Sequence, residues 1–204
     1  MLNSMENTHG DGSAEMNLWT IGHSRHELSV FLDLLSKFEI QVVVDVRSYP
    51  TSKLAPQFNE GSIRKALKSR SIEYIFMGKE LGGRPDEVFM YDEDGKVLYN
   101  KVAESERFQS GIARLTDGAK KYRVAIMCSE GKPDGCHRHL LIGRVLSELK
   151  CRVINILPVG ETVDYAALVP DEMQFSLLDV EEVKPWKSLL SVRQESPQSD
   201  SSDY

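Results

Sequence analysis

Two patterns of hydrophobic residues alternate along the chain, one typical of strands and the other typical of helices. Their alternation predicts a series of strands and helices. Short apolar runs predict buried strands, and apolar residues three or four positions apart predict helices. The predicted strands are residues 17–21, 41–47, 72–77, 123–127 and 151–157, and the predicted helices are 27–38, 62–68, 105–121 and 136–150. This order, with short connections, indicates an α/β fold of three layers: a mostly parallel five-stranded sheet with helices on both faces.

The same patterns predict the limits of the folded part. Residues 1–16 are polar and rich in Gly, Ser and Asn, so we expect a disordered leader there. A single α/β domain is expected over 17–170, with a C-terminal extension at 171–185 and a disordered tail at 186–204. Residues 86–100 are rich in turn formers, which favours an excursion outside the core.

Composition narrows the class of protein. With 41% hydrophobic and 27% charged residues, the 204-residue chain is typical of a globular domain. A net charge of -6 leaves nucleic-acid binding open but does not favour it. No apolar run approaches the roughly 18 residues of a membrane span, and no signal peptide begins the chain. Three cysteines are too few for a secreted disulfide framework, so we expect a soluble, cytoplasmic protein with reduced thiols.

The stretch MCSEGKPDGCHRH, residues 127–139, concentrates unusual chemistry between the fourth predicted strand and the helix after it. It contains two thiols, Cys128 and Cys136, together with two imidazoles, the Glu130 carboxylate and the Arg138 guanidinium. A helix N-terminus favours anions and would lower the pKa of a nearby thiol. The stretch is therefore the first candidate for a functional site.

Polar residues also follow the other predicted strands. His23 follows the first, Asp45 and Arg47 end the second, and Gly82 and Gly83 follow the third. Parallel strands present their carboxyl ends at one edge of the sheet, where ligands bind in such folds. We therefore expect these residues to meet the 127–139 stretch in one crevice.

Each of these residues also has a structural interpretation. Cys128 at a strand end is as often a small buried hydrophobe as a reactive group. Asp45 and Arg47 at one strand end are at least as often a structural ion pair, and two successive glycines mark a turn more often than a phosphate cradle. We expect His26 and His139 to be solvated and Cys151 to lie in the core.

The sequence predicts neither a metal site nor a dinucleotide site. Cys128, Cys136, His137 and His139 are close in sequence, but their spacing fits no familiar structural zinc motif. Adjacent side chains on a helix point apart, which disfavours joint ligation. The GHS sequence at 22–24 is not a GxGxxG fingerprint. We therefore expect neither a metal nor a cofactor.

Several motifs together resemble the domain of unknown function 488 family from about Leu18 to Leu157. They are TIGHS at 20–24, DVRSYPTS at 45–52, QFN at 57–59, LGGRP at 81–85, MCSE at 127–130 and CHRH at 136–139. The resemblance implies a small α/β protein with motif residues gathered at one sheet edge, and it connects the chain loosely with DNA repair. It adds Ser52 to the site residues above. The chain departs from the usual Arg-rich pattern at residues 53–55, which weakens a phosphate-binding role for that loop.

A fainter similarity is to rhodanese-like sulfurtransferases. Residues 45–47 match their Asp-Val-Arg strand end, and residues 128–131 match their Cys-x-x-Gly loop. Their loop closes within about five residues of the cysteine, whereas here Arg138 comes ten residues after Cys128. We take the similarity as a mechanistic analogy only.

The residues favour an enzyme that performs thiol-dependent transfer or hydrolysis on a small anionic or nucleotide-like substrate. In this hypothesis Cys128 is the nucleophile, activated by His23 or His137, while Glu130 and Asp45 orient groups or move protons. Substrate binding falls to Arg47, Ser52, Gly82, Gly83 and Arg138, with Cys136 in a supporting or resolving role. A nucleotide- or nucleic-acid-binding module without turnover and a protein-interaction domain remain alternatives, and the oligomeric state stays open.

Overall fold

Six strands form one sheet in the computed structural model, which describes residues 16–169 and 186–192. The strands are β1 Asn17–Gly22, β2 Val42–Asp45, β3 Glu73–Phe76, β4 Val124–Cys128, β5 Arg152–Ile156 and β6 Thr162–Asp164. Their order across the sheet is β3-β2-β4-β1-β5-β6, and only β6 pairs antiparallel among them. The predicted parallel sheet is confirmed, and the three-residue β6 was too short to leave a pattern in the sequence.

Helices cover both faces of the sheet, as the three-layer prediction requires. They are α1 Leu28–Lys37, α2 Glu60–Lys68, α3 Gly78–Leu81, α4 Tyr99–Glu104, α5 Glu106–Ala119 and α6 Arg144–Glu148. One core cluster joins α1 and α2 to the sheet, and a second joins α4, α5 and α6 to its other face. The helix predicted over 136–150 is a π-helical segment, Arg138–Gly143, followed by α6.

Strand alternation decides which side chains share a face. In β2, Val42 and Val44 belong to the core under α5 and α6, while Val43 faces α1 and α2. In β4, Ile126 and Cys128 lie on the α5 and α6 side. Successive side chains of a strand point to opposite faces, so residues that end neighbouring strands need not point into one space.

Part of the region 86–100 belongs to the core, so its prediction as an excursion was wrong for that part, although Val88 and Phe89 are exposed. Met90, Val97 and Tyr99 are buried against the sheet face that α5 covers. A bridge between Tyr91 and Val97 closes this segment onto itself. The turn-forming residues at 92–95 make a tight turn between the buried residues Met90 and Val97. The local turn signal was therefore mistaken for an exposed loop.

Part of the predicted tail contacts the domain. Trp186 donates from Nε1 to the carbonyl of Leu140, and Ser188 is buried. Residues 1–15 of the predicted leader at 1–16, the extension at 171–185 and the rest of the tail at 193–204 lie outside the described residues. The domain limits therefore stay a prediction. In the part of the chain that the structure describes, no helix is both long and apolar enough to cross a membrane.

The strand order creates a switch point between β1 and β4. These strands are neighbours, yet the chain leaves β1 toward β2 on one side and leaves β4 toward β5 on the other. Gly22, the last residue of β1, pairs with Cys128, the last residue of β4. In open parallel sheets the crevice for a ligand opens at the carboxyl ends of two such strands. The candidate site therefore lies beside Cys128.

Candidate functional site

Two thiols and an imidazole converge at the switch point. The Sγ atoms of Cys128 and Cys136 and a ring nitrogen of His137 all lie within 4.8 Å of one another. Nδ1 of His137 is 3.7 Å from Sγ of Cys128 and 3.9 Å from Sγ of Cys136. Both cysteines are buried and free of disulfides, while His137 is half-buried. The seven-residue loop between the cysteines folds back so that both sulfurs face the same ring.

The orientation of the His137 ring follows from its other nitrogen. Nε2 lies 3.1 Å from the carbonyl oxygen of Val46. A carbonyl oxygen only accepts, so Nε2 carries the proton and donates. The lone pair of Nδ1 is therefore directed at the two thiols whenever the ring is neutral.

Glu130 closes the cluster on the solvent side. Its Oε2 accepts from Sγ of Cys128 at 2.7 Å and from Sγ of Cys136 at 3.2 Å, although the residue as a whole is exposed. Partial burial raises the pKa of Glu130, but the two thiol hydrogen bonds outweigh it and lower the pKa to about 2. Glu130 is thus an ionised carboxylate in contact with both sulfurs.

Burial acts differently on the neighbouring groups. It raises the pKa of the Cys136 thiol well above its usual value. Burial would lower the pKa of His137, but the contact with Cys136 and the charge of Glu130 outweigh it and raise the pKa. In the absence of a further positive charge, Cys136 is therefore a neutral thiol.

Arg138 supports this loop from inside the protein. It is 0% exposed and is the largest fully buried side chain of the described residues. Its guanidinium donates to Thr20 Oγ1 and to the carbonyl oxygens of Glu130 and Gly131. The sequence predicted a substrate contact, but these donors face protein groups because the residue begins the π-helix that packs on the sheet. Arg138 acts as a clamp on the loop that carries Glu130.

Three glycines allow close approaches around the cluster. A Cβ on Gly22 would overlap the carbonyl oxygen of Glu130, and a Cβ on Gly83 would lie 2.7 Å from the His137 ring. Gly82 is packed between the carbonyl of Gly78 and the Ser48 side chain. Gly82 and Gly83, which were predicted to bind substrate, are therefore positions where close packing leaves no room for a Cβ atom.

A second polar group lies on the opposite face of the sheet. Asp45, which is 0% exposed, accepts from Nε and Nη2 of Arg47 and from the hydroxyl of Tyr74. Arg47 also donates to the carbonyl of Phe58. Burial and the Asp45 charge raise the pKa of Tyr74. The predicted site residues Asp45 and Arg47 thus form a buried ion pair that holds the end of β2.

His23 belongs to this second group as well. Its Nδ1 lies 2.8 Å from the carbonyl of Ser24, so Nδ1 carries the proton, and Nε2 accepts from Arg47 at 3.1 Å. The ring stacks on Phe58, and burial lowers the pKa of His23 to about 4. Only the backbone N–H of His23 reaches Cys128, at its carbonyl oxygen. The predicted activation of the Cys128 thiol by His23 is not supported, because strand alternation turns the ring to the other face.

The remaining predicted residues are placed as follows. Ser52 bonds within its own loop, to Asn59 through its backbone and to Leu54 through its hydroxyl. Cys151 is buried in the core, as predicted. His139 is buried beside Tyr165 with no hydrogen-bond partner for Nδ1, so its prediction as a solvated residue was wrong. The π-helix turns this side chain inward, away from His137.

The expectation that Cys136 and His137 point apart also fails. His137 already has helical backbone angles, whereas Cys136 lies before the helical segment. The Cys136 side chain is therefore not constrained to the helical spacing on which that expectation depended. The sequence signal that could have indicated the convergence was the Pro-Asp-Gly sequence at 133–135, a turn former, and the N–H of Cys136 closes a turn there on the carbonyl of Pro133.

Fold and cluster together define a doubly wound α/β protein with a dithiol–imidazole–carboxylate site at its switch point. The chain belongs to the family described as domain of unknown function DUF488, which it matches over residues 27–145, more than half of its length. No curated protein and no solved structure matches the chain. The similarity to rhodanese-like sulfurtransferases stays an expectation.

Proposed function

We propose that this protein is an enzyme that uses Cys128 for thiol-dependent transfer or hydrolysis on a small anionic or nucleotide-like substrate. The observation that carries the proposal is the contact of one sulfur with a carboxylate and an imidazole at the switch point. Sγ of Cys128 is 2.7 Å from Oε2 of Glu130 and 3.7 Å from Nδ1 of His137. Structural cysteines rarely need both partners, whereas a nucleophile needs a base beside it.

The chemical step is a displacement at an electrophilic centre of the substrate. The Cys128 proton passes to Nδ1 of His137, whose lone pair faces the sulfur, and Sγ forms a bond to that centre while the bond to the leaving group breaks. The leaving group departs with the electron pair of that bond and takes up the proton. An acceptor then receives the group from sulfur, or water does so in hydrolysis, which restores the Cys128 thiol. Cys136, 3.2 Å from the same carboxylate oxygen, holds Glu130 in place.

The buried arginines position the site and do not touch substrate in this mechanism. Arg138 fixes the carbonyl groups of residues 130 and 131, and so sets where the Glu130 carboxylate begins. The Asp45–Arg47 ion pair brackets Val46, whose carbonyl orients His137. Each acts through the backbone next to a reacting group.

An anionic substrate is supported by exposed cations in the loops at this edge of the sheet. Three lie in the loops that follow strands, Arg25 after β1, Lys53 after β2 and Lys132 after β4, and Arg84 follows the short helix α3 that comes after β3. Exposed cations keep donors available for a ligand, which the buried guanidiniums do not. Local positive charge can attract an anion to a protein of net negative charge.

The test is the rate of alkylation of each cysteine by iodoacetamide at about pH 6, resolved by peptide mass spectrometry. Cys128 should react faster than Cys151, a core cysteine that serves as the reference in the same chain. His137→Asn should slow the Cys128 reaction and leave Cys151 unchanged, because it removes the base that faces the Cys128 sulfur. A Cys128 rate no greater than that of Cys151, or preferential labelling of Cys136, overturns the proposal.

A further inference from the structure

We infer that Cys128, Cys136 and His137 bind one zinc ion, and that Sγ of both cysteines and Nδ1 of His137 are the ligands. The inference deepens the proposed function, because a bound zinc ion would hold Cys128 as a thiolate. The catalytic role of the zinc rests on that proposed function. These three residues are the one group of three or more potential ligands that the described residues bring together.

The two nitrogen–sulfur distances are close to those of a tetrahedral site, and all three atoms lie within 4.8 Å of one another. With zinc–sulfur bonds of about 2.3 Å and zinc–nitrogen bonds of about 2.0 Å, a sulfur and a nitrogen ligand lie about 3.6 Å apart. The Nδ1 to Sγ distances here are 3.7 Å to Cys128 and 3.9 Å to Cys136. Ligation would need only small side-chain movements, with no rearrangement of the backbone.

The hydrogen bond on the far side of His137 is an independent indication. Histidines that bind metals donate their other ring N–H to a carboxylate or a backbone carbonyl, which fixes the tautomer and directs the free lone pair at the metal. Nε2 of His137 donates to the Val46 carbonyl, and Nδ1 faces the thiols. A histidine that only packed against two cysteines would have no need of this arrangement.

The donor set selects the kind of metal. Two thiolates and one imidazole suit zinc and do not suit magnesium or calcium, which prefer oxygen. Three protein ligands leave a fourth position, and the Glu130 carboxylate lies on the solvent side, next to both sulfurs. A fourth position that is open or easily vacated is typical of catalytic zinc, whereas structural zinc has four protein ligands.

Zinc would also account for two buried thiols beside a carboxylate. A thiol that coordinates the metal is deprotonated outright, and metal coordination is one of the ways in which a nucleophile is activated. The proton of each thiol is released to solvent when the metal binds. Cys128 would then be a thiolate before the substrate arrives.

The experiment uses the full chain, reduced and stripped of metal, and titrates it with Co²⁺, a spectroscopic substitute for zinc. Binding at one equivalent should produce the thiolate-to-cobalt absorption of a tetrahedral site, and Zn²⁺ should displace the cobalt. Cys136→Ser and His137→Asn should each lower the affinity for Zn²⁺ by more than about tenfold. Cys151→Ser, which removes a thiol outside the cluster, is the matched control and should change nothing.

Far-ultraviolet circular dichroism of each metal-free variant shows whether it is folded, so a misfolded variant is not counted. If folded Cys136→Ser binds as tightly as the wild type, or the wild type binds no cobalt with its thiols reduced, the inference is overturned. Alkylation of Cys128 separates the two proposals. If Cys128 is reactive but the protein binds no metal, the proposed function stands and the zinc inference is overturned. If the protein binds zinc but Cys128 is inert, the zinc inference stands and the proposed function is overturned.

Discussion

Nε2 of His137 donates a hydrogen bond to the carbonyl oxygen of Val46, 91 positions earlier in the chain, at 3.1 Å. This contact joins the end of β2 to the segment after β4. It also links the thiol cluster to the buried ion pair. Val46 lies in the chain between Asp45 and Arg47, whose side chains are on the opposite face of the sheet. The buried ion pair thus holds the backbone that orients the imidazole, and the predictions below test both groups.

Gly22→Ala should destabilise the protein by roughly 1–3 kcal/mol, since the new methyl group meets the backbone carbonyl of Glu130 and neither strand end can move freely. Urea unfolding measures the change. Gly118→Ala is the matched control: it lies in α5, where a Cβ meets nothing within 4 Å. There alanine should stabilise by up to about 1 kcal/mol, through helix propensity. Equal effects at both positions would contradict the steric account of Gly22.

Arg138→Met should cost roughly 3 kcal/mol of unfolding free energy, because it leaves the buried carbonyls of residues 130 and 131 without donors. It should also slow Cys128 alkylation, since the loop that carries Glu130 loses its clamp. Arg114→Met removes an arginine from an exposed ion pair and should change stability by less than about 1 kcal/mol. Measurements in the presence of a chelator exclude any contribution of metal to the comparison. A wild-type-like Arg138→Met would show that the clamp is dispensable.

Asp45→Asn should destabilise by roughly 3–5 kcal/mol, because the buried Arg47 charge then has no carboxylate partner. Asp33→Asn is the control for losing a carboxylate at the surface, where its pair with Arg70 is exposed, and should cost less than about 1 kcal/mol. Chemical unfolding of both variants checks the difference. If the two costs were similar, Arg47 would have to be paired by other groups.

The anionic preference of the site can be read from two alkylating agents. Relative to glutathione, Cys128 should favour iodoacetate over iodoacetamide at low salt, because the exposed loop cations attract the carboxylate reagent. The preference should fall in 1 M salt, where the Debye length is about 3 Å, and should fall in Lys132→Glu at low salt. Lys121→Glu, the same change of charge at an exposed position before the start of β4, is the control for net charge. No preference at low salt would count against an anionic substrate.

The alternative of a nucleic-acid module makes a different prediction. Fluorescence anisotropy with labelled oligonucleotides would then detect binding that weakens with salt and survives Cys128→Ala. With a net charge of -6, we expect no such binding at physiological salt. Its detection would favour the module over the enzyme.

The residues alone determined the class of fold and directed attention to a candidate site. Periodicity within each segment predicted the five parallel strands and the principal helices, because it reflects which side of one element is buried. The rule that ligands bind at the carboxyl ends of parallel strands then directed attention to Cys128. Alternation along each strand also decides that Cys128 and the Asp45–Arg47 pair lie on opposite faces of the sheet. That assignment requires the register between β2 and β4, which the sequence does not give.

Only the tertiary structure decided which groups meet. The β1–β4 switch point depends on strand order, and Gly22 pairs with Cys128 across more than a hundred residues. The burial of Arg138 and the convergence of Cys136 with His137 depend on how one loop folds against strands far away in the chain. Local patterns record the preferences of one segment, whereas a site is made by the packing of several. The sequence therefore named Glu130 and His137 as candidate partners of Cys128 but could not separate them from His23, which faces the other side of the sheet.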